Sequence, residues 1–195
     1  MLPDPSRLAV LTVRDPAEAA RQILDLNLPR QALWLALLLM AVLQSLIFAL
    51  SDLMTPGPTP FPALFGSPIR FMIVSALMLV LTVYAIFWAG RALRGSGALE
   101  DVMALVVWLQ ALRVAVQLAG LLLSMVIPLL AVLLLLAASV LGIYILLHFI
   151  NQAHRLDSIA RAVGVLAVAL VGLLFGLSLL LALLGVPAMG NAGYV

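Results

Sequence analysis

A regular row of polar residues crosses a long apolar stretch of this sequence. Gln110, Arg113, Gln117, Gly120 and Ser124 follow one another at intervals of three and four residues. In an α-helix this spacing places them on one face. The guanidinium and the two amides all carry N–H donors, so such a face can bind an anion or bond to a neighbouring helix.

The composition indicates the medium in which this helix lies. Hydrophobic residues make up 66% of the chain and charged residues only 9%, whereas soluble domains carry about 25% charged residues. So few charges cannot cover a water-exposed surface, and the chain must be solvated largely by lipid. We therefore predict an all-α polytopic membrane protein.

Apolar runs between polar breaks predict five transmembrane helices. Their approximate bounds are 32–51, 69–89, 102–126, 129–150 and 162–184. The third and fourth come from one stretch without an acid, from Val102 to Ile150. A single helix of that length would measure about 73 Å, against a hydrocarbon core of about 30 Å. The stretch must cross twice, and its only proline, Pro128, predicts the turn.

The arginines predict the orientation. With five spans, residues 1–30, the 91–101 loop and the 151–161 loop share one side and hold eight of the ten arginines. Cytoplasmic segments collect positive charge. We expect residues 1–30 in the cytoplasm, the membrane domain over 31–187, and the uncharged tail 188–195 outside, in the inner membrane of a bacterium.

The N-terminal segment carries a helix-start signal. Asp15 can cap a helix, Pro16 suits its first position, and Glu18 suits its third. A helix over 16–27 would place Ala17, Ala20, Leu24 and Leu28 on one apolar face. The pattern is typical of an amphipathic helix on the membrane surface, and equally of a short solvated helix that leads into the first span.

Arg113 lies near the middle of the third predicted span, where insertion costs about 2.5–3.5 kcal/mol. No acid lies at matching depth in another span, so its expected partners are neutral groups, a lipid phosphate or water. Two interpretations remain open. Gln110, Arg113 and Gln117 bind an anionic headgroup or ligand, or they form a polar clamp between helices.

Small residues at helical spacing predict close helix packing, inside the bundle or between copies. They are Ala138 and Gly142 in the fourth span and Gly164, Gly172 and Gly176 in the fifth.

Signatures of catalysis are missing from the sequence. It has no cysteine, no pair of intramembrane acids and no phosphate-binding loop. His148 and His154 are at the wrong spacing for one helical face and are expected at the membrane interface, without a metal. A net charge of +2 does not indicate nucleic-acid binding. We therefore expect that the protein is not an enzyme and that it binds no cofactor.

Two local motifs and the layout resemble the Yip family, the Ypt-interacting membrane proteins, in its prokaryotic branch. The first motif runs from Thr12 to Ala19 and continues through Leu26-Asn27-Leu28-Pro29 to Trp34; the second is Tyr144–Leu147 with His154-Arg155-Leu156 and Arg161-Ala162. The family's eukaryotic members carry an aromatic-Gly-Pro element that is absent before the first span here, so Rab binding is not implied.

The resemblance implies a five-helix protein that organises membranes or partner proteins without catalysis. The alternative is a small transporter or channel with an anion or lipid headgroup site at Arg113. The expected partners are the bilayer, an anionic lipid, and a second copy or another membrane protein.

Overall fold

The computed structural model describes residues 4–54 and 66–183 and folds them into helices joined by short links. The helices are α1 (Pro5–Arg14), α2 (Pro16–Leu24), α3 (Arg30–Met54), α4 (Pro68–Ala92), α5 (Leu99–Ser124), α6 (Pro128–His154) and α7 (Ile159–Leu183). No strand occurs in these two ranges. Helices α3 to α7 are long and apolar enough to cross a membrane, which confirms the all-α class and the five spans.

The helix starts follow the capping signals in the sequence. The Asp15 carboxylate accepts a hydrogen bond from the Glu18 backbone N–H at 2.9 Å, and Pro16 is the first residue of α2. Pro128 opens α6, and three residues separate it from the end of α5 at Ser124. Proline suits a first position because its missing N–H would have no partner there. The apolar stretch from 102 to 150 therefore folds back at Pro128.

The five long helices form a ring. α3 packs against α4 and α5, α5 against α6, and α7 closes the ring between α6 and α4. We call the end that carries α1, α2 and the links 93–98 and 155–158 the near end. The opposite end, with the α5–α6 turn, is the far end.

Burial is concentrated toward the near end. Five consecutive residues of α5, Val102 to Val106, are all buried, so neighbours cover every face of that helix. Toward the far end, large apolar side chains such as Leu118, Leu122 and Leu136 are exposed. In a bilayer these side chains face acyl chains that are as apolar as leucine.

α2 docks on the bundle, against α6 and α5. Its buried residues are Pro16, Ala19, Ala20 and Ile23. The predicted apolar face of Ala17, Ala20, Leu24 and Leu28 is wrong at Leu28, which lies beyond the end of the helix and is exposed. After Leu24 the chain forms a turn, in which the Asn27 N–H donates to the Leu24 carbonyl and Asn27 takes a left-handed conformation with φ 44°.

A second N-terminal helix, α1, was not predicted. Asp4 is its N-cap: the Asp4 carboxylate accepts a hydrogen bond from the Ser6 backbone N–H at 2.9 Å, and Pro5 is the first residue of the helix. The same Asp-Pro pair that signals α2 thus also precedes α1. The predicted tail 188–195 falls outside the described residues.

Candidate functional site

A cleft of about 570 Å³, with mostly apolar walls and a row of polar side chains, opens between four of the long helices in the far half of the bundle. Its polar lining includes Gln44 and Ser51 on α3 and Arg113, Gln117 and Ser124 on α5. Apolar side chains complete the walls, among them Ile47, Phe48, Phe71, Leu121, Val132 and Leu135. The row of polar residues on α5 therefore faces a cavity.

Arg113 stands at the deep end of this row. At 1.5 Å per residue its Cα is about 16 Å along the helix from Ser124, at the far end of α5. The side chain is exposed, and it makes no hydrogen bond or ion pair with the described residues. None of the neutral protein partners expected from the sequence reaches it within those residues.

The three candidate ligand residues separate in the structure. Arg113 and Gln117 line the cleft. Gln110, one turn closer to the near end, is buried and lies outside the cleft lining. Gln44, on the facing helix α3, lines the cleft as well. The structure thus assembles two amides and one guanidinium from two helices.

Two serine hydroxyls at the cleft or next to it are bonded to backbone carbonyls. The Ser124 hydroxyl donates to the Leu121 carbonyl at 2.6 Å, and the Ser45 hydroxyl, just behind the wall, donates to the Pro68 carbonyl at 2.7 Å. Phe48 and Phe71 stack with their ring centroids 4.4 Å apart. None of the described residues that line the cleft is acidic or a histidine. Chemically the cleft offers N–H donors and a positive charge, and no general base.

The predicted packing residues occupy different surroundings. A Cβ added at Gly164 would lie 3.3 Å from Leu93, and one at Gly176 3.7 Å from Leu81. A Cβ added at Gly142 or Gly172 would meet no atom within 4 Å. Ala138 is half-buried on α6. Within one copy, Gly142 and Gly172 are therefore not at a close helix approach.

Sequence reasoning missed a second, tightly packed site at the near end. His154 is the last residue of α6, and its side chain is fully buried between the helices and the 93–98 link. A Cβ at Gly90 would overlap the imidazole, and one at Gly95 would lie 2.8 Å from the His154 Cβ. The burial arises because the 93–98 link folds over the end of α6, where the Ser96 N–H donates to the His154 carbonyl at 3.0 Å.

The imidazole is only half satisfied. Its Nδ1 lies 3.3 Å from the Ile150 carbonyl, whereas Nε2 has no hydrogen-bond partner among the described residues. His148 is half-buried and packs edge-on to Tyr144. The described residues contain no group of histidine and acidic side chains that could hold a metal ion. The glycines at 90, 95 and 97 were the available sequence signal, because they make room for a bulky neighbour.

A hydrogen bond ties α1 to a membrane-spanning helix. The Trp108 indole N–H of α5 donates to the Thr12 hydroxyl at 2.9 Å, and that hydroxyl donates to the Leu8 carbonyl at 2.8 Å. Thr12 is completely buried. Trp108 lies about 13 Å along α5 from Leu99. The bond therefore holds α1 beside the bundle.

The comparisons with known proteins agree with this architecture. The family model described as the Yip1 domain matches residues 10–180, from the middle of α1 almost to the end of α7. No curated protein and no solved structure matches the chain significantly. The match covers all five long apolar helices except the last turn of α7, and so the chain is an integral membrane protein that belongs to the Yip1 domain family.

Proposed function

We propose that this protein is a non-enzymatic organiser of the membrane that surrounds it, and that α1 is the part that binds the membrane surface. The observation that carries the proposal is the outward face of α1. Arg7, Val10, Val13 and Arg14 are all exposed there, with each valine more than half exposed. The opposite face, with Leu8 and Thr12, is buried.

This face has the composition of an interfacial helix. Valines can enter the boundary between headgroups and acyl chains, while arginines attract anionic lipids, and such binding is sensitive to curvature and lipid composition. The Thr12–Trp108 bond couples α1 to the spans. A helix that binds the surface while fixed to a transmembrane bundle can impose its own geometry on the bilayer.

The proposal also states which end of the bundle faces the cytoplasm and which surfaces contact other proteins. The near end holds eight of the ten arginines, which favours a cytoplasmic near end in a bacterial inner membrane. Contacts with a second copy or another membrane protein would use lipid-facing surfaces such as those beside Gly142 and Gly172, where an added Cβ would meet nothing.

Transport is the second candidate function, and the cleft at Arg113 is the observation in its favour. A transporter needs access from both sides, however, and the near half of α5 is covered on every face from Val102 to Val106. An organiser needs no such path. The packed near end therefore supports the first proposal over the second.

Vesicle reconstitution tests the proposal. We expect the purified protein to change the diameter distribution of vesicles that contain phosphatidylglycerol, without any added substrate, and to change phosphatidylcholine vesicles less. The double variant Arg7→Gln/Arg14→Gln should lose most of this effect. The control Arg91→Gln/Arg161→Gln removes the same charge from the near end and should retain it. Equal vesicle diameters with the wild type and the α1 variant would refute the role of α1.

Cysteine labelling tests which end of the bundle faces the cytoplasm. The native chain has no cysteine. In intact cells, Ser96→Cys and Asp157→Cys should be protected from a membrane-impermeant thiol reagent, whereas Thr59→Cys and Asn191→Cys should react. Protection of only one of the last two positions would contradict five spans.

A further inference from the structure

We propose that the far-end cleft is a binding site for a phosphate group, with Arg113 as its charge partner and Gln44 and Gln117 as additional N–H donors. The site goes beyond the organising function and does not depend on it. It rests on three observations: an unpaired cation, a donor-rich lining, and a polar row that ends inside the bundle.

The first observation is the state of Arg113. Its guanidinium carries five N–H donors, and none is bonded to the described residues. Unsatisfied polar groups at membrane depth cost several kcal/mol each. In a bilayer the cleft must therefore contain water or an anion, and its volume of about 570 Å³ has room for both.

The second observation is the charge of the lining. None of the described residues around the cleft is acidic, so no carboxylate there competes for the guanidinium. The planar guanidinium forms paired, charge-assisted hydrogen bonds to phosphate oxygens. The amides of Gln44 and Gln117, which form no hydrogen bond with the described residues, supply donors from two helices.

The third observation is the geometry of the polar row. Ser124, Gly120 and Gln117 line the cleft from the far end of α5 down to Arg113, over about 16 Å of helix. The far end is the level of lipid headgroups. The opposite wall on α6 is apolar, and Val132 and Leu135 are 53% and 40% exposed. A headgroup can follow the polar row while its acyl chains remain against α6.

The row also ends inside the protein. Gln110, one turn below Arg113, is buried, and the helix is enclosed beyond it. A phosphate that enters from the far side has no described exit at the near end. The geometry points to retention of a bound group, with a lipid phosphodiester or free inorganic phosphate as its two sources.

Native mass spectrometry of the full-length protein tests the site. The protein is incubated separately with phosphatidylglycerol, phosphatidylcholine and inorganic phosphate, and the adduct masses identify what is retained. We expect a lipid adduct that falls at least tenfold in Arg113→Gln and is partly restored in Arg113→Lys. Arg161→Gln, an exposed arginine of the near end, should bind as the wild type does.

A second variant guards against loss of folding. Leu121→Trp should fill the cleft and leave Arg113 in place, so a folded Leu121→Trp protein should also lose the adduct. An adduct of phosphate alone would support the site and assign it to the free anion. Equal adducts in the wild type, Arg113→Gln and Leu121→Trp, or none in any of them, would overturn it.

Discussion

The two ends of this bundle differ in how closely their helices pack. At the near end, side chains fill the space between helices, and three glycines let the 93–98 link close over His154. At the far end an open cleft with a polar row on α5 lies between the helices, and leucines are exposed. Lipid replaces protein as the apolar neighbour at the far end, so the helices there can separate at little cost. Tight packing is needed only where backbone and loops must be covered.

The largest contrast is expected between two leucines of α3. Leu37 is 2% exposed, in the near half, and Leu46 is 63% exposed, in the far half. Leu37→Ala should lower the free energy of unfolding by about 2–5 kcal/mol, because it leaves a cavity. Leu46→Ala makes the same change in helix propensity and should cost well under 1 kcal/mol. Thermal unfolding in detergent measures both, and equal losses would contradict the comparison.

Two glycines give the next contrast. At Gly90 a new Cβ would overlap the His154 ring, whereas at Gly172 it would meet no atom within 4 Å. Gly90→Ala should destabilise the protein by about 1–3 kcal/mol through overpacking. Gly172→Ala should be neutral or stabilising by up to about 1 kcal/mol, since alanine favours helix. A neutral Gly90→Ala would show that the near end is looser than the structure has it.

A smaller effect is expected at the junction between α1 and the bundle. Trp108→Phe removes the indole donor to Thr12, a hydrogen bond worth about 1 kcal/mol. Backbone amides of α1 should then exchange about fivefold faster, with little change in α3 to α7. Trp88→Phe, at a ring that is 64% exposed, is the control and should leave the exchange of α1 unchanged. Unchanged exchange in Trp108→Phe would separate α1 from the packed near end.

The smallest effect is a pH dependence of α2. Hydrogen bonds from Gln22 and Arg21 hold the pKa of the exposed Glu18 carboxyl below its ordinary value of 4.5. A lowered pKa in the folded state means that the stabilisation is present above pH 4.5 and is lost as the pH falls through the folded value. The protection of α2 amides, after correction for the intrinsic pH dependence of exchange, should therefore fall slightly in acid, and Glu18→Gln should remove that part of the fall. An identical acid profile in the variant would show that Glu18 contributes nothing.

Much of the fold could be predicted because the signals are local. The two crossings between Val102 and Ile150 follow from length and hydropathy alone, and Pro128 marks the turn because proline cannot continue a helix. Asp15 and Pro16 mark the start of α2 in the same way. Asp4 and Pro5 carried the same information for α1, which was overlooked.

The candidate site was only partly predictable. The spacing of Arg113 and Gln117 places them on one face of one helix, and they do line one cavity. Gln44 could not be assigned to that cavity, because its membership depends on how α3 is rotated against α5. Gln110 shares the spacing but is buried, since neighbours cover α5 more completely toward the near end.

The sequence by itself determined the medium, the number of crossings and the placement of eight arginines at one end, because charge and hydropathy act through composition over short segments. Only the tertiary structure decided which helix faces meet. It buried His154 against Gly90, docked α2 through Ile23, and left Gly172 open and Arg113 without a protein partner in the described residues. Helix rotation in lipid is set by side-chain fit between neighbours, and that fit involves residues far apart in the chain.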